Sequence, residues 1–159
     1  MWRLFIVFVF IALFTLTATT AGAQAPAVVN GGFESGVTGW QTAGGVIASN
    51  VFPYSGTSAA QLAADGTQDI PEANITQAVN VINGASYNLS LWTYTPGGLL
   101  TITVFTGDGD TNQTTDSNCL TAYCENTISF VATGEQITIF IDGQNTSMAF
   151  VDDVTLTQT

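Results

Sequence analysis

Twelve carboxylates with almost nothing to oppose them set the chemistry open to this 159-residue chain. It has no histidine, and its single basic residue is Arg3. General acid–base and nucleophilic catalysis rely on His, on Lys, or on a Cys beside a base. Beyond Arg3 the chain offers no such base. Paired carboxylates, as in glycoside hydrolysis, are what remains. The acids, however, are scattered, mostly among Gly and Asn, so the sequence reads as non-enzymatic. One acidic run, "DGDTN" (Asp108 to Asn112), begins like an Asp-x-Asp-x-Asn calcium loop. It lacks Gly at the sixth position and Glu at the twelfth, and reads as a solvated turn.

The same charge balance limits partners. With Arg3 in the expected leader, the rest of the chain has no cation to neutralise phosphate, which excludes nucleic acid. Anionic lipid and acidic polysaccharide are disfavoured likewise, leaving neutral ligands and cations. Two cysteines, Cys119 and Cys124, bracket "LTAY" and predict a local disulfide in a secreted chain. Asn-x-Ser/Thr sequons at Asn74, Asn88, Asn112 and Asn145 are candidate N-glycosylation sites if the source is eukaryotic.

Secretion itself is read from the N-terminus. Arg3 supplies a positive start, "LFIVFVFIALFTL" is an apolar run of signal-peptide length, and Ala21-Gly22-Ala23 has small residues placed for cleavage. The expectation is a signal peptide over 1–23 and one domain over 24–159, secreted or extracellular, possibly cell-wall associated. After cleavage no membrane segment is expected, and a monomer is.

The elements that must position any site are strands. No long stretch repeats apolar residues at helical spacing, while short β-rich runs are separated by Gly, Asn, Asp and Pro. Eight strands are predicted, near Ala43–Val51, Ser58–Ala64, Asn74–Val81, Ser86–Thr95, Leu99–Thr106, Asn126–Val131, Gln136–Asp142 and Ser147–Thr157. In "YNLSLWTY", Tyr87, Leu89 and Leu91 share one face, and Asn88, Ser90, Trp92 and Tyr94 the other. In "ITIFID", Ile137, Ile139 and Ile141 oppose Thr138, Phe140 and Asp142. The fold class is all-β: an antiparallel two-sheet sandwich, with a jelly roll the expected topology. The stretch from Gly107 to Asn126 is read as a functional or disulfide-pinned loop.

Several motifs in order resemble one family. "NGGFESGVTGW" (Asn30 to Trp40) is similar to the N-terminal signature of family 4/9-type carbohydrate-binding modules, which have a galactose-binding-like jelly roll. "YSGTSAAQL", "ANITQAVNVINGASYNLSLWTY" and "FVDDVTLT" resemble later blocks of the same pattern, so the likeness runs from Val28 to Thr157. It implies a structural calcium where the first and last strands meet, with Glu34 and Asp152 as carboxylate ligands and the Gly32 carbonyl as a main-chain ligand. Calcium takes six to eight oxygens, carboxylates mixed with carbonyls, and a Glu among glycines suits that chemistry. The likeness also implies a sugar-binding sheet face. Sugars stack their C–H faces on aromatic rings, which makes Trp92 and Tyr94 the expected platform, with Phe140 completing it and Asn88 and Ser90 adding polar contacts. Trp40 is expected in the core, and Tyr123 is expected exposed in the disulfide loop. One departure is "TPGG" directly after Tyr94, where groove-binding relatives carry charged or amide side chains.

The reading is therefore a non-catalytic, calcium-stabilised module that binds a neutral polysaccharide or oligosaccharide, such as a cell-wall glycan. The alternative is an extracellular surface or matrix protein using the same sandwich for structure or adhesion.

Overall fold

The computed structural model describes residues 26–63, 72–107, 112–144 and 147–159. The expected signal peptide, the Asn145 sequon and residues 108–111 of the "DGDTN" run lie outside the described residues, as does the side chain of Asn112.

Among the described residues ten strands form: β1 (Gln41–Ala43), β2 (Val46–Ser49), β3 (Ala59–Leu62), β4 (Glu72–Asn80), β5 (Ser86–Tyr94), β6 (Leu100–Phe105), β7 (Asn112–Ser117), β8 (Cys124–Val131), β9 (Gln136–Gln144) and β10 (Ala149–Gln158). They make two five-stranded sheets. The front sheet has the order β1-β4-β9-β6-β7, and the back sheet β2-β3-β10-β5-β8. Every pairing is antiparallel. This is the expected sandwich, and no helix occurs among the described residues.

The period-two alternation builds the core. Ile137, Ile139 and Ile141 of β9 and Ile75 and Val79 of β4 face inward from the front sheet. Tyr87, Leu89 and Leu91 of β5 and Val151, Val154 and Leu156 of β10 meet them from the back. Phe33 and Trp40 enter the same core, their rings 5.4 Å apart, as expected for Trp40.

The segment before β1 is tied down by amides. Asn30 donates to the carbonyls of Gly36 and Thr38 and accepts from the Ser35 N–H, closing the glycine-rich turn on itself. The buried Gln77 amide accepts from the Val29 N–H and donates to the Val29 and Gly39 carbonyls. Gly31 meets β10 directly: the Val154 N–H donates to its carbonyl at 3.0 Å. A Cβ on Gly31 would run into the Val154 carbonyl oxygen.

Two strand expectations need correction. The run Ala43–Val51 is not one strand. Gly44, with φ of +71°, breaks it against the Glu72 carbonyl, and its halves join different sheets. Within the stretch read as a loop, "NQTTDS" forms β7 at the edge of the front sheet. It is polar on both faces, so alternation gives no signal, and polar edges are how sheets avoid further pairing.

Candidate functional site

On β5 the side chains of Asn88, Ser90, Trp92 and Tyr94 do share the outer face of the back sheet, because their neighbours fill the core. That face is not open. Antiparallel register sets Phe150 beside Tyr94 and Asp152 beside Trp92. The segment between β2 and β3 then folds across them. The Tyr54 ring lies on Trp92, with centroids 4.1 Å apart and planes 11° from parallel. Phe52 sets its edge on Tyr94 at 5.7 Å and on Phe150 at 5.3 Å. Trp92 and Tyr94 are left half-buried and Phe150 fully buried. The polar members are engaged as well: Ser90 Oγ donates to Glu125 at 2.6 Å, and Asn88 Oδ1 accepts from Ser129 at 3.1 Å.

The cysteines are disulfide-bonded, as expected. Their loop lays Tyr123 against Tyr54 and Tyr94, with ring centroids 5.3 and 5.7 Å away, and its hydroxyl donates to the Phe52 carbonyl. Tyr123 is thus half-buried rather than exposed. Burial, then the charges of Asp152 and Asp153, push its phenol pKa up. Sequence reasoning passed over Phe52 and Tyr54. Two rings set among Pro and Gly in "VFPYSG" were the available signal.

Phe140 does not complete this platform. It stands on β9, in the front sheet, on the opposite side of the sandwich from Trp92 and Tyr94. Alternation reveals which residues share a face, but not which of two sheets a strand joins.

Glu34, Gly32 and Asp152 come together around residues 54–58. Glu34 Oε1 accepts from the N–H groups of Thr57 and Ser58 at 2.9 and 3.0 Å, and Oε2 from the Thr57 hydroxyl at 2.6 Å. The Thr57 hydroxyl, followed by the two backbone bonds, lowers the Glu34 pKa. Asp152 Oδ2 accepts from the N–H groups of Tyr54 and Ser55 at 2.9 and 3.1 Å, and Oδ1 from Asp153 N–H at 2.8 Å. Burial raises the Asp152 pKa against the opposing pull of these bonds. A Cβ on Gly32 would sit 3.3 Å from Asp153 Oδ1 and 3.9 Å from Asp152 Oδ1. The donors gathered here are all hard oxygens, which fits calcium. Among the described residues no group of three or more His, Cys, Asp or Glu side chains converges to hold a metal, so backbone carbonyls would complete the shell. Through these hydrogen bonds alone, the two carboxylates grip one short turn from opposite ends of the chain.

The outer face of the front sheet has a different character. Register aligns two complete cross-strand rows. One runs Ala43, Asn74, Asp142, Thr101, Asp116; the next runs Gln41, Thr76, Phe140, Thr103, Thr114. A third brings Ala78, Thr138 and Phe105 together. Phe140 therefore sits among hydroxyls and amides, with Phe105 edge-on at 6.3 Å and exposed. Beyond Phe105 a hollow of about 550 Å³ is lined by residues that include Thr133, Glu135, Gln136 and Thr138. An accessible ring, flat polar rows and an adjoining hollow can take a ligand with an apolar face and hydroxyl edges.

Comparison with known proteins identifies the family and the fold. A family model described as a carbohydrate binding domain, of the 4/9 type, matches residues 25–139. The fold is similar to that of TmCBM61 in complex with beta-1,4-galactotriose (TM-score 0.67, 19% identity, covering 83% of this chain and 97% of that one). It is also similar to a CBM4 structure (TM-score 0.59, 15% identity, 84% and 100% covered). A third is the CBM22-1 xylan-binding domain from Paenibacillus barcinonensis Xyn10C (TM-score 0.59, 16% identity, 80% and 90% covered). These likenesses are of fold. No curated protein matches the chain by sequence.

Proposed function

Because the chain belongs to the carbohydrate binding domain family of the 4/9 type, we propose that it binds a neutral polysaccharide, without catalysis, on the outer face of its front sheet. The observation that carries this reading is Phe140 in the middle of a cross-strand row of hydroxyls and amides, beside an exposed Phe105. Phe140 stacks on a sugar face, while Asn74, Thr76 and Thr101 meet the hydroxyl edges. Solved structures of similar fold include modules described with galactotriose and with xylan, which supports a β-linked plant-type glycan as ligand. Arg3 is the chain's one cationic side chain, so affinity rests on stacking and neutral hydrogen bonds, giving roughly micromolar to millimolar binding.

A structural calcium belongs to the same proposal. Glu34, Asp152 and the Gly32 carbonyl would hold it. When bound it supplies a fixed cross-link between the first and last segments of the domain. Export through the 1–23 leader would put the module outside the cell, where such glycans are met and where its disulfide persists.

The test is retention on insoluble xylan, galactan, cellulose and chitin, comparing the native chain with Phe140→Ala. Loss of about tenfold in affinity, ~1.4 kcal/mol, is expected for at least one of them. Unchanged retention in the variant overturns the front-sheet site. The Asn74 sequon adds a second check, since Asn74 stands in the cross-strand row next to that of Phe140. A glycan there and a ligand on this face exclude one another, so mass spectrometry of the binding-competent protein is expected to find Asn74 unmodified.

A further inference from the structure

We propose that the outer face of the back sheet is a second carbohydrate-contact surface, with Tyr54 as its stacking ring, so that one domain can engage two glycan segments on opposite sides. This rests on the carbohydrate-binding reading and extends it to a face that reading does not use.

The argument starts from ring geometry. Tyr54 is nearly parallel to Trp92, so one of its faces is taken by Trp92, and Tyr123 packs tilted beside it at 5.3 Å. The residue is 41% exposed. A segment that needed only an anchor would be served by Phe52, which turns its edge into Tyr94 and Phe150. Tyr54 instead stacks on Trp92 and keeps 41% of its surface exposed, and an exposed aromatic ring is what a pyranose needs for C–H stacking.

That face is held rigidly. The Tyr54 and Ser55 N–H groups are bound by the buried Asp152 carboxylate, and the Thr57 and Ser58 N–H groups by Glu34. Tyr123, on the disulfide loop, flanks the ring and donates to the Phe52 carbonyl. A ring fixed before binding loses little freedom on binding. The rim combines apolar and polar groups. Phe52, two residues before Tyr54, is exposed, and Ser55, the residue after it, donates through Oγ to Asp153 Oδ1 at 2.9 Å. A stacking face with hydroxyl and carboxylate acceptors at its edge suits a polyhydroxylated ligand better than a wholly apolar one.

The two surfaces cannot share one ligand segment. Phe140 and Tyr54 lie on the outward faces of different sheets, separated by the full thickness of the sandwich. Packed sheets alone are about 10 Å apart.

The experiment uses the native chain, Tyr54→Ala, Tyr54→Phe and Phe140→Ala on beads coated with xylan, galactan or mixed-linkage β-glucan, scoring both bead binding and bead clumping. Truncating the Tyr54 side chain leaves its backbone N–H on Asp152, and matched melting curves confirm that each variant is folded. The native chain and Tyr54→Phe are expected to clump beads of at least one glycan. Tyr54→Ala and Phe140→Ala are expected to bind single beads without clumping them. Clumping by Tyr54→Ala at the native level overturns the second surface. So does complete loss of binding in Phe140→Ala, which leaves the front-sheet reading standing. Loss of all binding in Tyr54→Ala, with Phe140→Ala unchanged, overturns the two-surface proposal and the front-sheet reading together. Failure of the native chain to bind any coated bead likewise overturns both.

Discussion

Single residues divide here into those with one partner and those that hold several backbone groups at once. Gln77 is of the second kind. Gln77→Ala strands the Val29 N–H and the Val29 and Gly39 carbonyls, which is expected to cost about 2 kcal/mol or more in a denaturant titration. Glycines differ in the same way. Gly36, with φ of +70°, has no atom within 4 Å of an added Cβ, so Gly36→Ala carries only the left-handed penalty of about 1 kcal/mol. Gly31→Ala drives a methyl into the Val154 carbonyl and is expected to lower the melting temperature far more. Glu34 adds a pH signature. Its folded pKa lies below the ordinary value, so its contribution is present above the unfolded-state pKa and is lost as pH falls through the folded one. Acid titration in calcium-free buffer is expected to show that loss in the native chain and not in Glu34→Gln. The sequence singles out Glu34 because it is a lone carboxylate among glycines. It is silent on Thr57 and Ser58 as partners, which only the folded chain brings near.

At the scale of elements, legibility follows the strength of alternation. β9 and β5 each carry three apolar residues in alternation, β4 does so apart from Gln77, and the sequence places each within a few residues of its bounds. β7 has no apolar face, and β1 and β2 are too short to reveal that a glycine sends them to different sheets. The disulfide loop is legible as a pinned element, but its cargo is not, since Tyr123 gains its role from rings distant in sequence. Closing so short a loop removes little chain entropy. Reduction, or Cys119→Ser with Cys124→Ser, is therefore expected to cost only ~2 kcal/mol. The larger effect should fall on Tyr123. Its hydroxyl proton, now held by burial and by the charges of Asp152 and Asp153, is expected to titrate closer to an ordinary tyrosine in the ultraviolet absorbance.

For the molecule as a whole, charge is the dominant fact. Twelve carboxylates and one Arg give a net charge of −11, so the folded state repels itself at low ionic strength. Raising salt from about 10 mM to 150 mM, where the screening length falls from ~30 Å to ~8 Å, is expected to raise the melting temperature. Calcium acts at one place instead of everywhere. If Glu34, Asp152 and Gly32 hold an ion, millimolar calcium raises the melting temperature beyond what matched magnesium does, and EGTA reverses it. An unchanged melting temperature overturns the calcium site. The sandwich is legible from composition and turn spacing, and its family from motifs along the chain. The division of aromatic residues between two opposite faces is not, because it depends on strand order.

The near-parallel Tyr54–Trp92 stack has an optical consequence. Two chromophores 4.1 Å apart couple electronically, and the coupling decays as soon as either ring turns. The other tryptophan of the described residues, Trp40, has Phe33 as its ring neighbour in the core. A near-ultraviolet circular dichroism band that arises from the Tyr54–Trp92 pair therefore reports the docking of residues 50–58 separately from global unfolding. It would follow that segment in solution without a label.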